Sequence, residues 1–199
     1  MRLRTFIVGF ACGCAAMGFA AMTLAPKQDP ADMEKMFMEA MEKYATPAKQ
    51  HAELAKREGE WTADLKMWMA PGMPPEIMSG QASFKTIMGG RFLHQDYTGE
   101  YNGMPFEGAG LTAYDRIKKT YVNVWIDNMG TGIAYSEGKM KDGVVTYVGE
   151  MPDIMQGKYI PSRTTERIVD ENTFVVEMYT AGPDGKDFMT MEITYKRIE

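Results

Sequence analysis

The stretch KTYVNVWID, residues 119–127, decides the fold that this sequence predicts. In an extended segment Val122, Val124 and Ile126 fall on one face. The aromatic and polar side chains fall on the opposite face: Tyr121, Asn123, Trp125 and Asp127. Strict alternation of two kinds of side chain is typical of a β-strand that separates two environments.

The same period of two recurs to the end of the chain, with turn residues about every ten positions. We predict about ten strands, at residues 60–69, 79–87, 91–101, 106–115, 119–127, 132–141, 143–149, 163–170, 173–181 and 187–197. Asn102-Gly103 and Lys141-Asp142-Gly143 are typical of the hairpin turns between such strands. The sequence therefore predicts a mainly β protein, an antiparallel up-and-down barrel, because closing the sheet leaves no exposed edge.

Two proline-containing segments interrupt the alternating pattern. Residues 69–75 contain three prolines and are predicted to form a loop. Residues 151–162 contain Pro152 and Pro161, and we predict an irregular segment that crosses one end of the barrel.

The alternation in residues 119–127 does not decide which of the two faces points into the barrel. In one interpretation the aliphatic face forms the core and the aromatic and polar face meets solvent. In the other, the aromatic and polar side chains line a ligand cavity inside the barrel while the aliphatic ones pack against helices.

The N-terminal residues have the pattern of an export signal. Arg2 and Arg4 precede an uncharged, largely apolar stretch at residues 5–26. Residues 1–25 are predicted to be a signal peptide or an uncleaved membrane anchor. The protein is therefore expected to be exported, to a periplasmic or extracellular location, with the anchor as its only membrane contact.

A helical extension precedes the strands. Met33, Met36 and Phe37 recur at helical spacing, and Thr46-Pro47 interrupts the pattern. We predict one or two short helices in an extension at residues 26–58, followed by a barrel domain at residues 59–199. The methionine-rich helical face is an adaptable packing surface or a soft ligand set for Cu(I).

Composition excludes several classes of function. The formal net charge is -5 and no basic cluster is present, so no nucleic-acid partner is expected. The only histidines are His51 and His94, and they lack zinc-ligand spacing. No hydrolase elbow or phosphate-binding loop occurs either. Together with the histidine spacing, this means that the sequence predicts no metal, no cofactor and no catalytic residue.

Several central motifs resemble an uncharacterised bacterial family, domain of unknown function 1579. The matching motifs are Gly89-Gly90-Arg91-Phe92-Leu93, Tyr97-Thr98-Gly99, Pro105-Phe106-Glu107-Gly108, Tyr114-Asp115, Tyr121 and Trp125-Ile126-Asp127-Asn128-Met129-Gly130-Thr131-Gly132. The resemblance covers about residues 47–197. It implies a barrel related to the lipocalin and fatty-acid-binding folds, the calycin type, and carries no established reaction.

A small-molecule-binding barrel is the leading functional hypothesis. A small hydrophobic or amphipathic ligand would lie in an apolar cavity, and a few polar groups would fix its orientation. The predicted ligand-binding residues are Trp61, Arg91, Tyr97, Tyr121 and Trp125. Arg91 either anchors a ligand carboxylate or pairs with a carboxylate of the barrel.

Two alternatives belong to other classes. A cavity enzyme, an isomerase or hydrolase, would use Asp127 or Glu107 as a base. An interaction protein would dock through its methionine-rich helix to an envelope partner or to a second copy, forming a homodimer.

Overall fold

A computed structural model describes residues 29–182 and 184–198 of the chain. The predicted export segment at residues 1–25 lies outside the described residues. The chain divides into two compact units, Met1–Ala40 and Met41–Glu199. None of the helices in the described part is long and apolar enough to span a lipid bilayer.

The described part of the first unit is helix α1, Pro30–Ala40. Its N-terminus is capped by Asp29, whose carboxylate accepts the backbone N–H of Ala31 at 3.0 Å. No residue of α1 is buried.

The second unit begins with short helical segments. A π-helical turn, Met41–Ala45, is followed by a break and by helix α2, Lys49–Ala55. The ring Nδ1 of His51 accepts the backbone N–H of Ala48 at 2.9 Å, which satisfies one of the free donors at the start of α2. His51 and Leu54 are buried, so α2 presents one face to the barrel.

Ten antiparallel strands form a closed barrel in the order of the chain, with β1 paired to β10. The strands are β1 Gly59–Met67, β2 Glu76–Ile87, β3 Phe92–Tyr101, β4 Met104–Asp115, β5 Thr120–Asp127, β6 Ala134–Lys141, β7 Val144–Asp153, β8 Lys158–Asp170, β9 Thr173–Ala181 and β10 Asp187–Arg197. The predicted up-and-down barrel is confirmed. Asn102 and Gly103 both have positive φ, at 51° and 77°, which is why this dipeptide suits the tight hairpin between β3 and β4.

The prediction of an irregular segment at residues 151–162 is wrong, because these residues form a long hairpin of β7 and β8. Pro161 lies opposite Glu150 and Pro152 opposite Tyr159. The pairing of β8 with β9 begins only at Ser162, and that of β7 with β6 ends at Glu150. Each proline therefore lies beyond the part of its strand that pairs with the second neighbouring strand. Its missing N–H breaks no hydrogen bond of the sheet there.

Helix α2 lies at one end of the barrel, where the fully buried core is concentrated. On β9, Phe174 is 2% exposed, whereas Val176 and Met178 farther from α2 are only half-buried. On β10, Tyr195 is 4% exposed and Met191 is again half-buried. The barrel is thus packed at the α2 end, here called the plugged end, and less tightly filled at the other, the open end.

Candidate functional site

The aromatic and polar face of β5 points into the barrel. Tyr121 is buried, and Asn123 donates to the Thr112 hydroxyl of β4 at 3.0 Å. Ile126, on the aliphatic face, is 47% exposed. Of the two interpretations of this strand, the second therefore describes its inward face correctly.

An aromatic cluster fills the plugged end. The rings of Trp61 and Phe174 meet edge to face at 5.0 Å, and Phe174 stacks on Tyr195 at 4.4 Å. The indole N–H of Trp61 donates to the backbone carbonyl of Arg57 at 2.8 Å. These rings anchor the segment between α2 and β1 to the barrel interior, with a favourable geometry for aromatic packing.

A buried ion pair joins that segment to the opposite wall. Arg57 Nη2 contacts Glu166 Oε1 of β8, and their side chains are 8% and 11% exposed. The guanidinium also lies 5.3 Å from the centre of the Phe174 ring. Because both charges are removed from water, the loss of either partner would leave the other as an uncompensated buried charge.

Two buried donors beside this ion pair have no hydrogen-bond partner among the described residues: Arg57 Nε and the Tyr147 hydroxyl. Tyr147 lies on β7, and its inward neighbour across the β7–β8 ladder is Thr164, two residues from Glu166. Such diagonal neighbours on one face of a sheet are within reach of long side chains. Burial, reinforced by the nearby Glu166 charge, raises the pKa of Tyr147 far above its usual value, so its hydroxyl stays protonated at neutral pH.

Toward the open end, aromatic rings lie against glycines of the barrel wall. A Cβ atom on Gly108 would overlap the Trp125 ring, and one on Gly80 would overlap the Tyr97 side chain. Tyr97 and Trp125 contact each other edge to face at 6.3 Å. The missing glycine side chains therefore give these rings room along the wall.

The inward side chains of the open end are chemically mixed. Met78, Val176 and Met191 are partly buried apolar residues that pack against the core from β2, β9 and β10. Ser136 and Ser162 face inward from β6 and β8, on either side of Gly149. An interior with an apolar side and a hydroxyl-bearing side is suited to an amphipathic molecule.

Four of the five predicted site residues face the interior, at different levels. Trp61 and Tyr121 belong to the plugged end, and Tyr97 and Trp125 lie toward the open end. Arg91 does not join them: it is exposed, in the turn before β3. Its guanidinium donates from Nε to the carbonyl of Ala45 and from Nη1 to that of Met88, both at 3.0 Å, and within the described part of the chain it forms no ion pair with a barrel carboxylate.

The carboxylates suggested as bases are placed differently from each other. Glu107 is exposed and faces outward, between the inward Phe106 and Gly108. Asp127 lies at the open end, where its Oδ2 accepts the indole N–H of Trp125 at 2.9 Å. Within residues 29–182 and 184–198, no three His, Cys, Asp or Glu side chains form a group suited to a metal ion.

The sequence did not reveal the polar cluster of Arg57, Glu166 and Tyr147. Arg57 lies at the end of the predicted helical extension at residues 26–58, where charged residues are normally solvated. Residues 163–170 have a Thr and charged side chains on each face, with both arginines on one face and Glu166 on the other, so their pattern does not identify Glu166 as buried. Only the alternation through Val145 and Tyr147 on β7 carried a usable signal for an inward residue.

Comparisons with known proteins place the chain in a family. The sequence profile of a family described as "Protein of unknown function (DUF1579)" matches residues 46–197. No curated protein matches the chain. Among solved structures, Rv2717c from M. tuberculosis has a TM-score of 0.54 at 14% identity, covering 77% of this chain and 100% of that one, which supports the barrel fold alone. A redesigned β-barrel has a TM-score of 0.41 at 14% identity, covering 75% and 96% of the two chains. Because the profile match spans most of its length, the chain belongs to the DUF1579 family of proteins of unknown function.

Proposed function

We propose that this protein binds a small apolar or amphipathic molecule in the open end of the barrel. The observation that supports this is the difference in burial along single strands, since inward apolar side chains such as Met191 are half-buried there while Tyr195 is 4% exposed. A ligand that covers such accessible apolar surface removes it from water, which makes the free energy of binding more favourable.

The chemistry of the interior favours a ligand with both apolar and polar parts. Met78 and Met191 supply flexible, polarisable contacts that adapt to different shapes. Trp125 and Tyr97 supply flat aromatic faces, and the inward serines and Asn123 can bind a polar edge. The N-terminal export pattern adds the proposal that this ligand is met in the periplasm or outside the cell.

A binding experiment with an apolar fluorescent probe tests the proposal. N-phenyl-1-naphthylamine, whose emission rises when it leaves water, is titrated into the protein, and binding to a single class of sites is expected. Val176→Trp, which adds a large side chain to the interior, should weaken probe binding at least about tenfold, equivalent to about 1.4 kcal/mol.

Val148→Trp is the matched control, because Val148 is 62% exposed on the outer face of β7. This variant should bind the probe like the wild type. Urea unfolding of both variants adds a second readout, since Trp at position 176 is tolerated only where there is room for it. Absence of probe binding to the wild type, combined with severe destabilisation by Val176→Trp, would show that the interior is filled and would refute the proposal.

A further inference from the structure

Two buried donors that lack a hydrogen-bond partner in the described part of the chain lie at the inner limit of the half-buried interior. The Tyr147 hydroxyl belongs to a side chain that is 2% exposed, and Arg57, whose Nε is the other donor, is 7% exposed. Buried polar groups in folded proteins nearly always have a hydrogen-bond partner, so each such exception calls for an explanation. Both donors adjoin the same carboxylate, Glu166, which Arg57 contacts directly and whose charge acts on Tyr147.

Inward side chains of β8 and β9 continue from these donors toward the open end. Glu166 lies opposite Val176 across the β8–β9 ladder, and the inward residue opposite Thr164 is Met178. Val176 and Met178 are half-buried side chains of the proposed ligand site. Val176 lies opposite Glu166, and Thr164 lies opposite both Met178 and Tyr147, so a molecule that covers these two side chains would have one end on the side of Tyr147 and the ion pair.

The charges at this position select the kind of polar group that fits. A partner for two N–H or O–H donors must be an acceptor, and an oxygen atom is the usual one. Glu166 already neutralises Arg57, so an added carboxylate would place a second negative charge in a buried site beside the first. A hydroxyl or carbonyl oxygen accepts the same hydrogen bonds without that repulsion.

We propose that Tyr147 and Arg57 form a polar subsite that binds the neutral oxygen of an amphipathic ligand, such as an alcohol, aldehyde or ketone, with the apolar part directed toward the open end. This subsite rests on the proposed ligand-binding function and specifies the class of ligand. The ligand oxygen accepts hydrogen bonds from the Tyr147 hydroxyl and from Arg57 Nε.

Displacement of N-phenyl-1-naphthylamine by two ligands of equal chain length tests the subsite. In the wild type, 1-dodecanol should displace the probe at a lower concentration than laurate, whose carboxylate is disfavoured by Glu166. Tyr147→Phe, which removes only the hydroxyl, should weaken dodecanol binding about five- to tenfold, the effect of losing one buried hydrogen bond. The same variant should leave the affinity for the probe, which offers no oxygen, unchanged.

Tyr135→Phe is the matched control, because Tyr135 is 44% exposed and its hydroxyl donates to Glu137 at 2.6 Å on the outside. This variant should change none of the three affinities. In the absence of ligand, Tyr147→Phe should leave the urea midpoint unchanged or raise it, which separates a ligand-binding hydroxyl from one that the fold requires.

The outcomes distinguish the two proposals. If the probe binds and is displaced but Tyr147→Phe leaves the ratio of dodecanol to laurate affinity unchanged, the subsite is wrong and the binding function stands. If laurate binds more tightly than dodecanol in the wild type, the neutral-oxygen class is wrong. If neither the probe nor either ligand binds, the binding function fails and the subsite fails with it.

Discussion

Removal of one partner of the Arg57–Glu166 pair is expected to weaken the fold strongly. Glu166→Gln leaves the Arg57 guanidinium without its counter-charge in a place where the two side chains are 8% and 11% exposed. Loss of one member of a buried pair lowers the free energy of unfolding by about 3–5 kcal/mol. For a protein of this size that corresponds to a fall in Tm of roughly 6–20 °C.

Urea unfolding followed by circular dichroism measures this effect, with a pair from the surface as control. Lys66 and Glu192 lie 2.8 Å apart with side chains 51% and 25% exposed, and Glu192→Gln should lower the free energy of unfolding by less than about 1 kcal/mol. The double change Arg57→Met with Glu166→Leu should recover most of the loss, because no charge is then left buried. Equal effects of Glu166→Gln and Glu192→Gln would refute the reasoning, since they would mean that water screens both pairs alike.

Three further changes have expected outcomes. Burial lowers the pKa of His51 below its usual 6.5, so its contribution to stability is present above pH 6.5 and is lost as the pH falls through the lower folded pKa. NMR titration of the His94→Gln variant, in which His51 is the single imidazole ring, should show the lowered pKa. A ring that titrates at or above 6.5 would contradict this expectation. Gly108→Ala should displace the Trp125 ring, shift its fluorescence and lower the free energy of unfolding by about 1–3 kcal/mol, whereas an unchanged spectrum would mean that the ring does not rest on the wall. Burial raises the pKa of Tyr147, so the unfolded chain loses this proton first and the stability of the fold falls as the pH rises above about 10. Tyr147→Phe should reduce that fall, measured as urea midpoints between pH 9 and 11. An identical pH dependence of the variant and the wild type would argue against a raised pKa of Tyr147.

The number and order of the strands could be predicted from the sequence because both depend on local signals. Alternation identifies a strand, and pairs such as Asn102-Gly103 identify the turn that follows it. The extent of the β7–β8 hairpin could not be predicted in the same way. Whether Pro161 breaks a hydrogen bond depends on how far β9 runs alongside β8, which is a property of the sheet and not of the segment.

The contents of the barrel were harder to predict than its wall. Alternation divides β5 into two faces but does not say which one is inside, and the aromatic face enters with the Trp125 ring lying over Gly108 of the neighbouring strand. Arg91 follows a turn, and its position in the barrel depends on whether the strand begins at residue 91 or, as it does, at Phe92. The partnership of Arg57 and Glu166 spans more than a hundred residues, and no short-range pattern encodes it.

Closure of the barrel through β1 and β10 has a consequence for biosynthesis. Trp61 lies opposite Arg197, whose guanidinium also donates to the carbonyls of Glu58 and Lys56 at 2.6 and 2.7 Å. While a ribosome is still adding β10, the nascent barrel exposes the free edges of β1 and β9, which can pair with other chains. A premature stop codon before Asp187 would therefore yield an aggregating product and not a shortened, closed barrel.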